Sequence, residues 1–181
     1  MLILLKNLQN KNVYHGSYIE VRNPDLSKCK KGKDFGVGFY ITTDRNQAIR
    51  FTKIVANRNG LSQGVLNIYK FSNFENLNVY EFESTNVEWL NCVIGNRNKQ
   101  FKKLAYPFKD YDVLIGKIAD DNTSTVINAY MSGVLGPVGS QIAINTAINQ
   151  FLTNTLNNQI CFKTEKSLER LKFFRSEKIW V

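Results

Sequence analysis

The stretch Val13-Tyr14-His15-Gly16-Ser17-Tyr18 contains the only histidine of the 181-residue chain. A run of alternating apolar residues precedes this histidine and predicts an opening strand or hairpin over residues 2–5 and 12–15. The Gly-Ser pair that follows is typical of a turn. A lone histidine is more often structural than functional, so the meaning of this stretch depends on the segments that accompany it.

A second unusual segment is Lys33-Asp34-Phe35-Gly36-Val37-Gly38-Phe39-Tyr40-Ile41-Thr42-Thr43-Asp44. It predicts a short buried strand over residues 37–42, in which Gly36 and Gly38 allow a close approach of the backbone. The polar, lysine-rich residues 21–36 lie between the two segments and predict a loop long enough to bind a ligand. We therefore expect the two strands to form one pocket.

Helix signals follow the second segment directly. Asp44 is predicted to cap a helix that ends near Gly60, with Gln47 as its capping-box partner. Residues 96–103 predict a basic, polar loop, and the acidic residues 120–123 are predicted to cap a helix that begins near Ser124. That helix is predicted to continue over residues 126–135, and further helices are predicted over residues 88–96, 140–152 and 164–168. Further strands are predicted over residues 65–71, 77–82, 112–118, 159–162 and 171–174.

This order of elements shows no regular strand–helix alternation. It predicts an α+β fold with a largely antiparallel, split sheet, in a single domain over residues 1–181. Hydrophobic residues make up 43% of the chain, which excludes a disordered tail.

The charge balance favours an anionic partner. The chain has 24 Lys and Arg against 15 Asp and Glu, a formal net charge of +9. Such a surface suits nucleic acid, a nucleotide or an acidic protein. Cys29, Cys92 and Cys161 stand singly, so we expect no zinc site and a reducing, cytoplasmic location. The apolar run at residues 1–5 is too short for a signal peptide or a membrane span.

The order His-Gly-Ser, then Gly-x-Gly-Phe-Tyr, then a helix with an inner aromatic residue resembles the NAD-binding core of the ADP-ribosyltransferases. The resemblance is to the branch that includes diphtheria toxin and the poly(ADP-ribose) polymerases. The His-Gly-Ser, Lys-Asp-Phe-Gly-x-Gly-Phe-Tyr and Tyr-Asp-Val-x-Ile-Gly segments also resemble a bacterial group of uncharacterised toxin-like domains. The resemblance implies the split-sheet fold of these enzymes and NAD as the ADP-ribose donor, without a metal.

The resemblance also implies roles for individual residues. His15 would bond a hydroxyl of the adenosine-side ribose, the Gly16 backbone would clasp the nicotinamide carboxamide, and Ser17 would face the ribose or phosphates. Tyr40 would lie against the nicotinamide ring, with Phe51 on its other side; ordinary core packing is the alternative for Phe51. The predicted catalytic residues are His15, Tyr40 and Gln159. The predicted NAD-binding residues are His15, Gly16, Ser17, Asp34, Phe35, Gly38, Tyr40 and Phe51.

Two positions depart from the family pattern. Ala48 stands where the polymerases carry a serine, and Gln159 stands where a glutamate is expected. A glutamine can accept a hydroxyl bond but has no charge to stabilise an oxocarbenium ion and cannot serve as a base. Either the acceptor needs little activation, or another carboxylate assists. The candidates for that carboxylate are Asp34, Glu165 and the pair Asp120-Asp121, for which helix capping or a solvated turn is the alternative reading.

Basic residues near the two strands suggest contacts with phosphates. Residues 28–33 could hold the pyrophosphate or guide an anionic acceptor, and Arg97 is a second candidate. The alternative for each of these basic residues is a solvated surface charge without a ligand.

The sequence therefore leads to a mono-ADP-ribosyltransferase that cleaves NAD and modifies a macromolecule. RNA or DNA is favoured over protein, in a bacterial toxin of a toxin–antitoxin or phage-defence pair with an antitoxin partner and no membrane. The alternative is an NAD- or ADP-ribose-binding module without turnover. An RNA 2′-phosphotransferase-like activity ranks last, because its chemistry needs a second histidine.

Overall fold

The computed structural model describes residues 8, 11–119, 121–151 and 157–181. The strands are β1 (Asn12–Ser17), β2 (Phe39–Ile41), β3 (Gln63–Phe71), β4 (Val79–Glu81), β5 (Val113–Lys117), β6 (Asn158–Phe162) and β7 (Leu171–Trp180). The α-helices are α1 (Arg45–Arg58), α2 (Val87–Arg97), α3 (Asp121–Met131), α4 (Gln141–Phe151) and α5 (Glu165–Leu168). Two 3₁₀ segments cover Leu26–Lys28 and Lys99–Phe108. Within the described ranges, none of the helices combines the length and the apolarity that crossing a membrane requires.

The strands form two sheets that meet at one point. The first sheet has the order β1-β3-β7 and is antiparallel, whereas the second has the order β2-β6-β5-β4 and is antiparallel except between β4 and β5. Tyr14 of β1 and Thr42, just after β2, exchange two backbone hydrogen bonds of 2.9 Å. The predicted α+β class is confirmed.

The core lies in layers on either side of each sheet. Side chains from both sheets, including Val13, Phe39 and Tyr69, pack together between them. The outer face of the first sheet is covered by α1, through Ala48 against Leu66 and Ile68. The outer face of the second sheet is covered by residues of α2, α3 and α4.

Helix α1 begins at the predicted cap but not through the predicted capping box. The Asp44 side chain accepts from the backbone N–H groups of Asn46 and Gln47, as expected of an N-cap. The Gln47 side chain, however, accepts a 2.9 Å hydrogen bond from the Thr42 hydroxyl, which in turn accepts from the Asp44 N–H. Thr42 therefore takes the place of Gln47 in the box and ties the helix to the end of β2.

Other predicted boundaries were wrong where tertiary pairing decides the structure. Strand β7 continues to Trp180 rather than residue 174, because β3 pairs with it along its whole length. Most of the predicted basic loop at residues 96–103 is helical, in α2 and a 3₁₀ segment that buries Phe108. Helix α3 begins at Asp121 and ends at Met131, so the acidic stretch overlaps its first turn. The strand predicted at residues 2–5 and the cap residue Asp120 lie outside the described residues.

We predict that Gly38→Ala weakens the contact between β2 and β6. An added Cβ would lie 2.4 Å from the Cys161 sulfur and 2.7 Å from the Phe162 carbonyl oxygen, and the backbone cannot yield cheaply. The free energy of unfolding, measured by urea denaturation, should fall by about 1–3 kcal/mol. Val37→Ala at the exposed neighbouring position should change it by less than about 0.5 kcal/mol. Equal stabilities of the two variants would contradict the close approach.

Candidate functional site

The point where the two sheets separate is defined by His15. Two residues beyond the Tyr14–Thr42 bridge, a continued antiparallel ladder would place Gly16 opposite Tyr40. Instead, the His15 Nδ1 lies 2.7 Å from the Tyr40 carbonyl oxygen and occupies that acceptor. The imidazole therefore stands between the strands and keeps them apart.

The backbone of Gly16, a buried residue, faces the place where β1 and β2 separate, here called the opening. The N–H and C=O groups of successive residues along a strand point to opposite sides, and those of Tyr14 point away from β3 toward Thr42. Gly16, two residues on, directs its N–H and C=O to the same side. A donor and an acceptor on one residue match the two polar atoms of a carboxamide.

Hydrogen bonding and burial fix the chemical state of His15. Because a carbonyl oxygen only accepts, Nδ1 must carry the hydrogen, and Nε2 of the neutral ring remains an acceptor. The ring packs against Phe39 with centroids 4.3 Å apart. Burial lowers the pKa of His15, although the bond to the Tyr40 carbonyl opposes this. A neutral imidazole with Nε2 as acceptor is suited to receive a hydroxyl proton of a sugar.

The absence of a side chain at Gly16 is explained by α1. A Cβ there would lie 2.7 Å from both the Ala48 carbonyl oxygen and the Thr52 hydroxyl. The helical turn from Ala48 to Thr52 is thus in direct contact with β1. The Ala48 side chain is buried in the core beneath α1, with Leu66 and Ile68.

Phe51 belongs to the same helical turn but not to the core. The residue is 39% exposed, so Phe51 is not packed in the core. Phe51 lies four residues after Gln47 and so shares its side of the helix, the side that contacts Thr42 at the edge of the second sheet. This places an exposed aromatic ring beside the separation of the sheets.

Tyr40 contacts the site through its backbone, and its ring lies on the other face of β2. Alternation along the strand directs Phe39 into the layer between the sheets and Tyr40 into the layer beneath α2. The phenol hydroxyl accepts from the Phe35 N–H at 3.0 Å and donates to the Gly36 carbonyl at 2.8 Å. Burial raises the pKa of Tyr40 far above its usual value, so the phenol stays protonated. The family resemblance predicts a ligand that contacts both the His15 and the Tyr40 rings. Because these rings lie on different faces, such a ligand must cross the free edge of β2.

Gln159 is held by a buried carboxylate. Its Nε2 donates to Asp34 Oδ2 at 2.7 Å and to the Lys117 carbonyl at 3.3 Å. Arg97 donates to Asp34 Oδ1 from Nε and Nη2, at 2.9 and 2.6 Å, and the Ala119 N–H donates to Oδ2 at 3.0 Å. Asp34 thus accepts four hydrogen bonds, and both N–H groups of Gln159 are used.

This arrangement gives a physical reason for glutamine at position 159. A glutamate there would place a second carboxylate against Asp34 in a buried site, which like-charge repulsion opposes. Asp34 itself is fully engaged and is not a free base. Arg97, a candidate contact for the pyrophosphate or an anionic acceptor, instead pairs with Asp34.

The remaining predicted residues have structural roles in the described chain. Phe35 is buried against Phe82, and Gly38 makes room for β6. Ser17 is buried, and its hydroxyl accepts from the Ile19 N–H at 3.3 Å. Glu165 occupies the first turn of α5, where the helix dipole favours a carboxylate. The lysines of residues 28–33 are exposed, and Lys28 pairs with Asp25 at 3.2 Å.

Sequence reasoning missed the roles of Thr42 and Arg97. Thr42 joins β1, β2 and α1, and Arg97 completes the Asp34 cluster across 63 positions of sequence. No local pattern marks either contact, because each depends on how distant segments pack.

We predict that Gln159→Glu destabilises the fold by about 2–4 kcal/mol at neutral pH. The substitution replaces the amide that donates to Asp34 with a carboxylate that repels it in a buried site. The raised pKa of the new carboxyl pair means that the folded variant binds more protons than the unfolded one. Its loss of stability should therefore grow as the pH rises. The double variant Asp34→Asn/Gln159→Glu keeps one negative charge near Arg97 and should recover part of the loss. Urea denaturation across pH tests this, and wild-type stability of Gln159→Glu at neutral pH would contradict the cluster.

We predict that acid weakens the fold through His15. Because its pKa is lowered in the folded state, the unfolded chain binds the proton first, so stability is retained above the ordinary histidine pKa and falls as the pH decreases through it. The slope from this residue is at most about 1.4 kcal/mol per pH unit. His15→Gln should flatten the stability curve between about pH 7 and pH 5. An identical slope in both proteins would show that His15 titrates normally.

Comparison with known protein families gives one match. A family model described as Protein of unknown function (DUF3990) matches residues 12–173, from the start of β1 into β7. Neither the curated proteins nor the solved structures include a match to the chain. Because the match covers most of the sequence, the chain belongs to the family described as Protein of unknown function (DUF3990).

Proposed function

We propose that the protein is a mono-ADP-ribosyltransferase that binds NAD where β1 and β2 separate. The observation that carries the proposal is the Gly16 backbone, which faces an opening that the His15–Tyr40 contact maintains. A nicotinamide carboxamide can donate to the Gly16 carbonyl and accept from its N–H. Phe51 supplies an exposed aromatic surface beside this edge.

His15 would position the sugar rather than exchange protons. Its Nε2 accepts a hydroxyl of the adenosine-side ribose, while Nδ1 stays bonded to the Tyr40 carbonyl. The lowered pKa keeps this acceptor available at neutral pH. The hydrogen bond from Nδ1 and the contact with Phe39 limit the ring to one orientation, which reduces the entropy lost on binding.

The reaction breaks the bond between the nicotinamide nitrogen and C1′ of the ribose. Nicotinamide leaves with the bonding electron pair, a nucleophile of the acceptor bonds to C1′, and the nucleophile loses its proton to solvent or a neighbouring base. Gln159 offers an amide oxygen that can accept a ribose hydroxyl once Asp34 holds its nitrogen. It supplies no negative charge, so we propose slow turnover with an acceptor that is itself a good nucleophile.

The acceptor in this proposal is a macromolecule, with nucleic acid favoured by the net charge of +9. Such an activity suits a cytoplasmic bacterial toxin of a toxin–antitoxin or phage-defence pair. An antitoxin would then be its protein partner.

A second candidate is an NAD- or ADP-ribose-binding module. The engaged Asp34 and the uncharged Gln159 favour it, because they leave no carboxylate in this cluster to stabilise a cationic sugar. Calorimetry and a nicotinamide-release assay on the same protein separate the two. Saturable binding with release supports the transferase, binding without release supports the module, and no binding contradicts both.

We predict that Phe51→Ala raises the dissociation constant of NAD by about 2- to 12-fold, corresponding to about 0.5–1.5 kcal/mol for an aromatic contact. Ile54→Ala is the matched control, because Ile54 is 44% exposed on the same helix, about one turn after Phe51 along the chain. Both variants should unfold like the wild type. Equal NAD affinity of the two variants would remove Phe51 from the site.

A further inference from the structure

A cluster of basic and aromatic residues lies on the first sheet, beyond the part that α1 covers. Lys70 lies between the inward-facing Tyr69 and Phe71, and Lys172 lies between the inward-facing Leu171 and Phe173. Alternation along the strands therefore directs both lysines outward. Lys70 and Lys172 are also direct cross-strand partners.

This lysine pair has a cost that the fold itself does not explain. Like charges directly opposite on neighbouring strands destabilise a sheet. A lysine on the edge strand β7 can serve to prevent edge-to-edge association, but Lys70 lies on the central strand β3. An anion bound across the pair would remove the repulsion.

An exposed aromatic ring lies at the centre of the same charges. The register shifts between Ile68 and Tyr69, so that Phe174 is the extra residue of a bulge. Its side chain is 50% exposed, with Lys70 Nζ and Arg175 Cζ each 5.3 Å from the ring centroid. Bulges re-aim side chains, and here the bulge brings a phenyl ring to the surface among cations.

The acidic residue that pairs with Arg175 leaves this cluster positively charged. Glu177 pairs with Arg175 at 3.1 Å and also with Arg45 of α1. One carboxylate thus faces two guanidinium groups, and neither Lys70 nor Lys172 shares it in the described structure.

We propose that Lys70, Lys172, Phe174 and Arg175, here called the β7 platform, bind single-stranded nucleic acid. Cations track the phosphates and an exposed ring stacks on a base, as in sequence-tolerant single-strand binding. A duplex hides its base faces and cannot use the ring. The platform extends the proposed function by assigning single-stranded nucleic acid as the acceptor of ADP-ribose. Binding of nucleic acid is independent of the proposed function, and only the transfer of ADP-ribose to it rests on that function.

The platform and the NAD opening lie on one small sheet. Strands β1 and β7 are the two edges of a three-stranded sheet, about 10 Å apart. Helix α1, which carries Phe51, covers the same face of that sheet. A strand held on the platform can therefore extend toward the opening without passing through the core.

The test measures the binding of a labelled single-stranded RNA about 12 nucleotides long. Binding is monitored by fluorescence anisotropy at several salt concentrations, without NAD. Phe174→Ala should weaken binding by about 5- to 150-fold, the loss of one stacked base. Lys70→Ser/Lys172→Ser should reduce the salt slope of log K by about 1.4, the loss of two phosphate contacts. The same lysine variant should also be at least as stable as the wild type, because the cross-strand repulsion is removed.

The matched control is Lys102→Ser/Lys103→Ser, which removes the same charge from two exposed residues of a 3₁₀ segment elsewhere. It should retain most of the affinity and the salt slope. Single-stranded DNA should bind similarly, and duplex RNA should bind equally to the wild type and Phe174→Ala. Equal weakening by both lysine variants, or unchanged binding by Phe174→Ala, overturns the platform. Nicotinamide release is measured separately without RNA, so failure of either proposal is recognised independently.

Discussion

The hydrogen bond from the His15 imidazole to the Tyr40 carbonyl determines how the two sheets meet. A backbone acceptor that would extend the Tyr14–Thr42 bridge is taken by a side chain, and β1 and β2 separate there. Gly16 is left with its backbone toward the opening while its Cα lies against α1. His15, the only histidine of the sequence, therefore has a structural role in separating the two strands. The same geometry leaves its Nε2 as a hydrogen-bond acceptor. The structural and functional readings of a lone histidine are compatible here.

The second determinant is the carboxylate of Asp34. It joins the loop before β2 to α2 through Arg97, to β6 through Gln159 and to the segment after β5 through the Ala119 N–H. The Tyr40 hydroxyl holds the next two residues of the same loop. A buried ion pair of this kind adds little net stability relative to apolar residues, but removing one partner is costly. Its main effect is to fix the amide of Gln159 in one orientation.

The sequence predicted the elements whose signals are local. Asp44 caps α1, Thr164 caps α5, and β1, β3 and β6 lie close to their predicted positions because alternation and capping are short-range patterns. The full length of β7 depends on pairing with β3, and the partners of Gln159 depend on a residue 125 positions away. The family resemblance predicted Phe51 at the site, and the structure shows that this residue is exposed. The opposite placement of the His15 and Tyr40 rings could not be read from the sequence, because it depends on how two separate sheets join.

The most direct test of NAD binding at this opening is an amide NMR titration of the ¹⁵N-labelled protein with NAD. We expect the Gly16 amide resonance to shift and saturate with ligand, together with the amides of His15 and Phe51, because the carboxamide would bond the Gly16 N–H. Resonances along β4, on the far edge of the second sheet, should remain unchanged. A saturating titration in which the Gly16 amide does not move, or the absence of any shift at millimolar NAD, would contradict the account.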